Sequence, residues 1–164
     1  MKYQIKDDFL DLTSLVSIKE MVFSYHFPWY IIPTVARPGS DDGFYLVHIV
    51  IENNQIFSSE MYKKITPIIE KLDVFTLKRV KVNYYPVTSE IVEHKYHTDY
   101  PTPHAAAIFY LNNNDGSTIL EDGTRIKSVE NRLLLFEGHI KHKSTSCTND
   151  PIGRFNINFN FTNT

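Results

Sequence analysis

Two histidines and one aspartate are the residues of this chain whose types and spacing predict metal chemistry. His97 and Asp99 are separated by one residue, and His142 follows far downstream. In an extended strand, side chains two residues apart project from the same face, about 7 Å apart along the chain. An imidazole and a carboxylate at that spacing can converge on one ion, and a third ligand from a later strand would complete the set. Two histidines and one carboxylate on one side of an ion leave its other positions open, as a mononuclear iron site requires.

The third ligand has two candidates, because the segment EGHIKH at 137–142 contains both His139 and His142. His142 is preferred, since it precedes the strand that carries Arg154 at a distance typical of such a site. His139 directly follows a glycine in what we predict to be a turn.

Arg154 begins the segment RFNINFNF, in which apolar and polar residues alternate strictly. This period of two predicts a strand with one apolar face and one face of arginine and amides. A guanidinium that points into a protein is a good bidentate partner for a carboxylate. A dicarboxylate that chelates iron at one end and pairs with Arg154 at the other would use both features, and 2-oxoglutarate is such a compound.

The stretch 106–161, together with YHTDY at 96–100, resembles the 2-oxoglutarate/Fe(II)-dependent oxygenases. More narrowly, it resembles the compact stand-alone, prolyl-hydroxylase-like members that are common in marine viruses and bacteria. The resemblance extends upstream through FPWYII, GFYLVHIVIE and LKRVKVNYYP, so it covers most of the chain.

The resemblance implies a role for each matching residue. His97, Asp99 and His142 match the iron triad, and Arg154 matches the basic residue that pairs with the distal carboxylate of 2-oxoglutarate. Tyr110, in FYLN, matches a tyrosine of prolyl hydroxylases whose hydroxyl shares that carboxylate.

A second set of candidate cosubstrate residues comes from the AlkB-type nucleic-acid demethylases. Asn83-Tyr84-Tyr85 resembles their Asn-x-Tyr, and Arg154-Phe155-Asn156 resembles their Arg-x-Asn, so Asn83, Tyr85 and Asn156 become candidates. This chain has Asn160 where those enzymes place a further arginine. It has Asp115-Gly116-Ser117 where prolyl hydroxylases have a Gly-Gly turn. The resemblance therefore supports a cosubstrate site in this chain more strongly than it indicates any particular substrate.

The leading hypothesis is an Fe(II)- and 2-oxoglutarate-dependent dioxygenase that uses O₂ and releases succinate and CO₂, with ascorbate as an optional cofactor. Its expected substrate is a prolyl or other protein side chain, although a small molecule stays open. The alternatives are an AlkB-type demethylase and a catalytically silent jelly-roll binding module. The loop Tyr100–His104, directly after Asp99, is a candidate substrate-facing segment by its position.

Composition favours one ordinary domain over residues 1–164, with 42% hydrophobic residues. The net charge of −2 and the pI of about 6.4 give no basic field for nucleic acid, although a local patch stays open. One cysteine fits a reducing compartment. Without a signal-peptide pattern or a membrane-spanning run, the expected location is the cytoplasm, or the host cytoplasm if the protein is viral.

Local patterns predict two helices and about eight short strands. One short helix lies within 7–27, and Ser58–Leu72 forms an amphipathic helix in which Pro67 causes a kink or a division. The WYII segment between two prolines is a predicted edge strand, 38–43 a turn, and Phe44–Glu52 a buried strand. Period-two strands follow at Phe75–Tyr85, Glu90–His97, Ala105–Leu111, Ser117–Glu121, Thr124–Ser128, Arg132–Phe136 and Arg154–Phe161, with Asp122-Gly123 as a hairpin turn. The predicted fold is α+β, mostly β: a double-stranded β-helix (jelly roll, cupin-like) with N-terminal helices packed on one sheet.

Overall fold

The computed structural model describes residues 3–35 and 43–163, and within these ranges the chain forms two helices and eleven strands. The helices are α1 (Leu12–Val22) and α2 (Ser59–Lys71). The strands are β1 (Tyr3–Lys6), β2 (Tyr30–Ile32), β3 (Tyr45–Glu52), β4 (Gln55–Ile56), β5 (Thr76–Tyr85), β6 (Ala105–Tyr110), β7 (Ser117–Leu120), β8 (Arg125–Lys127), β9 (Leu133–Glu137), β10 (His142–Ser144) and β11 (Arg154–Thr162).

The strands form one large and one small antiparallel sheet. The large sheet has the order β1-β9-β6-β11-β5-β3-β2, with β4 paired to β3, and the small sheet has the order β10-β7-β8. Buried side chains from both sheets pack in one cluster, which includes Ile108 and Leu134 of the large sheet and Leu120 and Ile126 of the small one. This two-sheet architecture confirms the predicted jelly roll.

Both helices cover the other face of the large sheet, as the sequence predicts. The apolar side chains of β11 point to this side, where Phe155, Ile157, Phe159 and Phe161 share a core with the helices. Each helix buries one stripe against them: Leu15, Ile18 and Val22 from α1, and Met61, Ile65 and Ile68 from α2. Burial of this stripe fixes the helices on the sheet, while the polar face of β11 is left to face the small sheet.

Truncation of one buried leucine in α1 is expected to destabilise the protein strongly. Leu15 is 5% exposed and Leu12, in the same helix, is 74% exposed. Leu15→Ala removes buried methyl groups and leaves a cavity, so we expect a loss of about 2–5 kcal/mol in the free energy of unfolding. Leu12→Ala, the matched control, should change it by less than about 0.5 kcal/mol. Urea unfolding of both variants measures the difference, and equal losses would show that α1 does not pack as described.

Several predicted elements need correction. The segment Glu90–His97 is not a regular strand, because it joins the small sheet only through isolated bridges such as Glu93 to Thr145 and His97 to His142. Three strands, β1, β4 and β10, have no predicted counterpart. They are two to four residues long, too short for a period-two pattern to be visible.

Helix α2 runs without interruption through Pro67, so of the two predicted alternatives, a kink or a division, the division is wrong. Its buried residues flank the proline, and their packing outweighs the missing backbone hydrogen bond. The edge position of β2 agrees with prediction, as does the hairpin of β7 and β8, where Gly123 has φ +88°. The turn predicted over 38–43 lies, except for Gly43, outside the described residues. Neither helix in the described ranges has the length and apolar character needed to cross a membrane.

Candidate active site

His97, Asp99 and His142 converge at one point between the two sheets. Their candidate ligand atoms all lie within 4.8 Å of one another. Nε2 of His97 is 4.0 Å from Oδ1 of Asp99, and Nε2 of His142 is 3.9 Å from Oδ2. Side-chain shifts of about 1 Å would bring the three atoms to the roughly 2 Å at which such ligands hold an ion. In the part of the chain that the structure describes, this is the only such cluster of histidine, cysteine or acidic side chains.

A pair of backbone hydrogen bonds brings the two histidines together. The amide of His97 donates to the carbonyl of His142 (3.0 Å), and the amide of His142 donates to the carbonyl of His97 (2.9 Å). Residues paired in this way lie directly opposite each other with their side chains on the same side, and the two imidazole centroids are 4.7 Å apart. The prediction that His97 and Asp99 share one face of a regular strand is wrong. His97 forms an isolated bridge, and Asp99 lies in the bend that follows it.

Asp99 is held by three donors that the sequence did not identify as site residues. Nη2 of Arg79 donates to Oδ1 (2.7 Å), while the amides of Asn158 (3.2 Å) and Asn160 (2.9 Å) donate to Oδ2. The alternation in β11 predicted that these asparagines share the polar face with Asn156, but nothing in the sequence indicated their partner. Asn160 thus has a role of its own at the position where AlkB-type enzymes have arginine.

The charges around Asp99 keep its carboxylate ionised. Burial by itself raises the pKa of Asp99. His142, which is charged at the low pH where Asp99 titrates, together with Lys81, Arg79 and the hydrogen bond from Asn160, lowers this pKa by more than burial raises it, and the net pKa is well below its ordinary value. Burial lowers the pKa of His97, and it lowers that of His142 to about 4. At neutral pH the three side chains are therefore a carboxylate and two neutral imidazoles, which are the protonation states that bind a metal.

Removal of one of these amide donors is expected to weaken metal binding without abolishing it. Asn160→Ala leaves Asp99 with fewer groups to fix its orientation, and loss of such a partner typically costs about 10- to 100-fold in metal affinity. Anaerobic titration with Fe(II) measures the change. Asn163→Ala, at an exposed position just beyond β11, is the control. Unchanged affinity in Asn160→Ala would show that the amide does not orient Asp99.

The two candidate distal histidines differ in their surroundings. The side chain of His142 is 5% exposed and belongs to the cluster, whereas that of His139 is 73% exposed and lies 3.5 Å from Glu137. The structure therefore places His142, and not His139, beside His97 and Asp99.

A cleft extends from the two histidines to Arg154, between β5 and β11 on one side and the small sheet on the other. Four of the five predicted cosubstrate residues line it: Asn83, Tyr85, Arg154 and Asn156. The fifth, Tyr110, lies one contact behind the wall, because its hydroxyl donates to Oγ1 of Thr118 (2.8 Å), which lines the cleft.

Arg154 is fully buried and contacts only neutral acceptors. Its guanidinium donates to Oγ of Ser128 (2.8 Å), Oγ1 of Thr118 (3.1 Å) and the carbonyl of Thr145 (3.4 Å). Among the described residues, no carboxylate forms a salt bridge with it. A buried charge without a counter-charge is costly, so this end of the cleft is suited to an anionic ligand.

Gly116 allows Arg154 to occupy this position. A Cβ atom on Gly116 would lie 2.6 Å from Cδ of Arg154 and 2.7 Å from the carbonyl oxygen of Ser146. Any larger residue would push the guanidinium away. The glycine of the Asp115-Gly116-Ser117 turn is therefore a part of the site that sequence reasoning noted only as a departure from a Gly-Gly motif.

Unsatisfied amide oxygens in the cleft also point to a ligand. The amide of Asn83 donates to Oδ1 of Asn156 (2.9 Å), but Oδ1 of Asn83 is buried without a hydrogen-bond partner among the described residues. The Oδ1 atoms of Asn158 and Asn160 are also buried without a hydrogen-bond partner among the described residues. With two imidazoles and a carboxylate at one end and a buried guanidinium at the other, the residues fit Fe(II) and a dicarboxylate.

Comparison with known proteins finds likeness in structure and none in sequence. No protein-family model matches the chain, and no curated protein sequence does. A prolyl hydroxylase from Trichoplax adhaerens, solved with a hypoxia inducible factor peptide fragment, has a TM-score of 0.71 at 17% identity and is matched over 98% of this chain and 83% of that one.

Two further solved structures agree. A 2OG-Fe(II) oxygenase family protein from Burkholderia pseudomallei has a TM-score of 0.71 at 9% identity, over 98% of this chain and 85% of that one. A viral collagen prolyl hydroxylase from Paramecium bursaria Chlorella virus-1 has a TM-score of 0.64 at 14% identity, over 99% and 97%. The chain thus has the fold of the 2-oxoglutarate/Fe(II) oxygenases, prolyl hydroxylases among them.

Proposed function

We propose that this protein is an Fe(II)- and 2-oxoglutarate-dependent dioxygenase that hydroxylates its substrate in a single domain. The observation that carries the proposal is one cleft with two complementary ends. At one end, the ligand atoms of His97, Asp99 and His142 lie within 4.8 Å of one another. At the other end is Arg154, fully buried and without an acidic partner among the described residues.

In this proposal each predicted site residue has a distinct task. His97, Asp99 and His142 hold the metal, and Arg154 pairs with the far carboxylate of 2-oxoglutarate. Tyr110 acts through Thr118, to which Arg154 also donates, so it orients the carboxylate pocket. Asn83, Tyr85 and Asn156 line the path between the two ends.

The bound Fe(II), with 2-oxoglutarate as co-reactant, would supply the O₂ activation by which a C–H bond becomes C–OH while the cosubstrate yields succinate and CO₂. The chain supplies orientation and a protected site. Asp99 is fixed by three donors, Arg154 by three acceptors, and the side chains around them are largely buried. Such rigidity keeps the reacting groups aligned and limits access of water.

A spectroscopic titration tests the assignment. Purified without oxygen and loaded with Fe(II), the protein should develop the weak visible metal-to-ligand charge-transfer band when 2-oxoglutarate is added. It should also show a higher thermal unfolding midpoint. A protein that shows neither effect is not a 2-oxoglutarate oxygenase, and a silent jelly-roll module would then be the better description.

The substrate that we propose by analogy is a prolyl or other protein side chain, since prolyl hydroxylases are among the structural neighbours. Succinate release on addition of proline-containing peptides, compared with methylated oligonucleotides, separates this substrate from that of an AlkB-type demethylase. The same assay with and without ascorbate determines whether ascorbate acts as a cofactor. We place the enzyme in the cytoplasm, the host's if the protein is viral, where a reducing environment maintains Fe(II).

A further inference from the structure

The inner face of β5 carries two cations, Arg79 and Lys81. Arg79 holds Asp99, so the metal and cosubstrate roles leave only Lys81 without a task. Strands β5 and β11 lie side by side in the large sheet, and along the cleft they pair in a regular antiparallel register. From the deep end toward the metal cluster, the facing pairs are Tyr85–Arg154, Asn83–Asn156, Lys81–Asn158 and Arg79–Asn160. Successive pairs are about 7 Å apart along the strands. Lys81 therefore lies beside the metal cluster, two pairs away from the carboxylate pocket at Arg154.

Lys81 lines the same cleft as His97, His142 and Arg154. Its ammonium donates to the hydroxyl of Tyr45 (3.3 Å) and lies 5.4 Å from the centroid of that ring. In the described ranges of the chain, no carboxylate oxygen lies within 4.0 Å of it. Lys81 is thus a partly buried cation with a neutral partner.

The nearest acidic groups do not neutralise Lys81. Asp99 and Glu52 act on it only through space, beyond ion-pair distance, and their effect is smaller than those of burial and of Arg79, so the pKa of Lys81 is lowered. Asp99 already accepts from Arg79 and two asparagines. A metal held by Asp99 would share its carboxylate, which would then stabilise the charge of Lys81 still less.

With Fe(II) and 2-oxoglutarate bound, the charges in the cleft would leave an excess of positive charge. The two positive charges of Fe(II) and the two negative charges of 2-oxoglutarate cancel each other. Among the described residues, the protein's own groups that remain are three cations, Arg79, Lys81 and Arg154, against two anions, Asp99 and the more distant Glu52. An excess of positive charge in a partly buried cleft is unfavourable unless a further anion enters.

We propose that the primary substrate carries a carboxylate that binds Lys81 beside the metal. This inference rests on the proposed function and adds the class of substrate, an acid. The carboxylate belongs either to a free acid or to an acidic residue of a peptide, and the two sources share the chemistry that Lys81 recognises. Lys81 determines specificity, because a neutral analogue of the same shape would leave its charge unmatched.

Matched pairs of neutral and acidic probes test the proposal. N-acetyl amino acids carry a free carboxylate, and their primary amides differ only in lacking it. The N-acetyl amides of aspartate and glutamate represent an acidic residue within a peptide. Binding of each probe to the Fe(II)–2-oxoglutarate form is measured as a change in the visible band and as probe-dependent release of succinate.

In the wild type, at least one carboxylate probe should bind about tenfold or more tightly than its neutral partner. Lys81→Gln should lose this preference, and Lys81→Arg, which keeps the charge, should retain it. Lys63→Gln is the control, since the side chain of Lys63 on α2 is 69% exposed and does not line the cleft. Lys81→Met, which keeps the apolar stem, repeats the test if Lys81→Gln unfolds. A response confined to the aspartate and glutamate amides identifies a peptide as the source.

Three results overturn the inference. The first is equal binding of the acids and their amides by the wild type at millimolar concentration. The second is a preference for carboxylate probes that persists in both Lys81→Gln and Lys81→Met. If Lys81→Gln weakens 2-oxoglutarate as much as it weakens the acid, Lys81 serves the cosubstrate instead. Failure of the proposed function is recognised separately, because the wild type would then form no visible band with 2-oxoglutarate at all.

Discussion

Fe(II) binding is expected to disappear in His142→Ala and to persist in His139→Ala. His142 is buried between the two sheets with its Nε2 3.9 Å from Asp99, while His139 lies in a solvent-exposed turn. Loss of a group that merely orients a ligand costs about 10- to 100-fold in metal affinity, so loss of a ligand itself should cost more than about 100-fold. Anaerobic equilibrium dialysis with Fe(II) measures the affinity, and succinate release should fall below detection in the same variant.

The folding of the His142 variant needs its own control. His142 bridges to His97 through backbone hydrogen bonds, which a substitution of the side chain leaves in place. His142→Gln fills more of the same space than alanine does and provides a second variant if His142→Ala proves unstable. Loss of metal binding in His139→Ala together with its retention in His142→Ala would show that His139 is the distal ligand.

Arg154→Gln is expected to lose affinity for 2-oxoglutarate and to keep its metal. A charged hydrogen bond contributes about 1.5–3 kcal/mol, so loss of a bidentate carboxylate contact should raise the Kd for 2-oxoglutarate by about 100-fold. The metal cluster lies at the other end of the cleft and should bind Fe(II) as before. Titration of the visible band with 2-oxoglutarate gives its Kd, and anaerobic equilibrium dialysis gives the affinity for Fe(II).

The effect of Arg154→Gln on stability provides a sharper check. In the unliganded protein Arg154 is a buried charge with no acidic partner among the described residues, so its replacement removes a desolvation cost along with three hydrogen bonds. Because only the wild type has the guanidinium that pairs with the far carboxylate, we expect the wild type, and not Arg154→Gln, to gain thermal stability from 2-oxoglutarate. Arg125→Gln, whose side chain is 53% exposed, is the control. Equal stabilisation of the wild type and Arg154→Gln by 2-oxoglutarate would exclude Arg154 as its binding partner.

The sequence alone predicted whatever follows from local periodicity and from the chemistry of residue types. Strict alternation in 154–161 gave β11 its apolar face against the helices and its polar face in the cleft. The repeat of apolar residues in α2 gave the buried stripe of Met61, Ile65 and Ile68. Asp122-Gly123 gave the hairpin. These features depend on residues close together in the chain, so their signals are visible without knowledge of the fold.

Only the tertiary structure decided how the site is assembled. The strand predicted over 90–97 is irregular, and the metal cluster forms because His97 pairs with a residue 45 positions later in the chain. The register of β5 against β11 places Arg79 at Asp99 and Lys81 beside the metal cluster. Such pairings are set by the packing of whole sheets, and a shift of one residue would turn each of these side chains to the other face. His97, Asp99 and His142 could therefore be chosen from the sequence, but their partners could be found only once the sheets were in place.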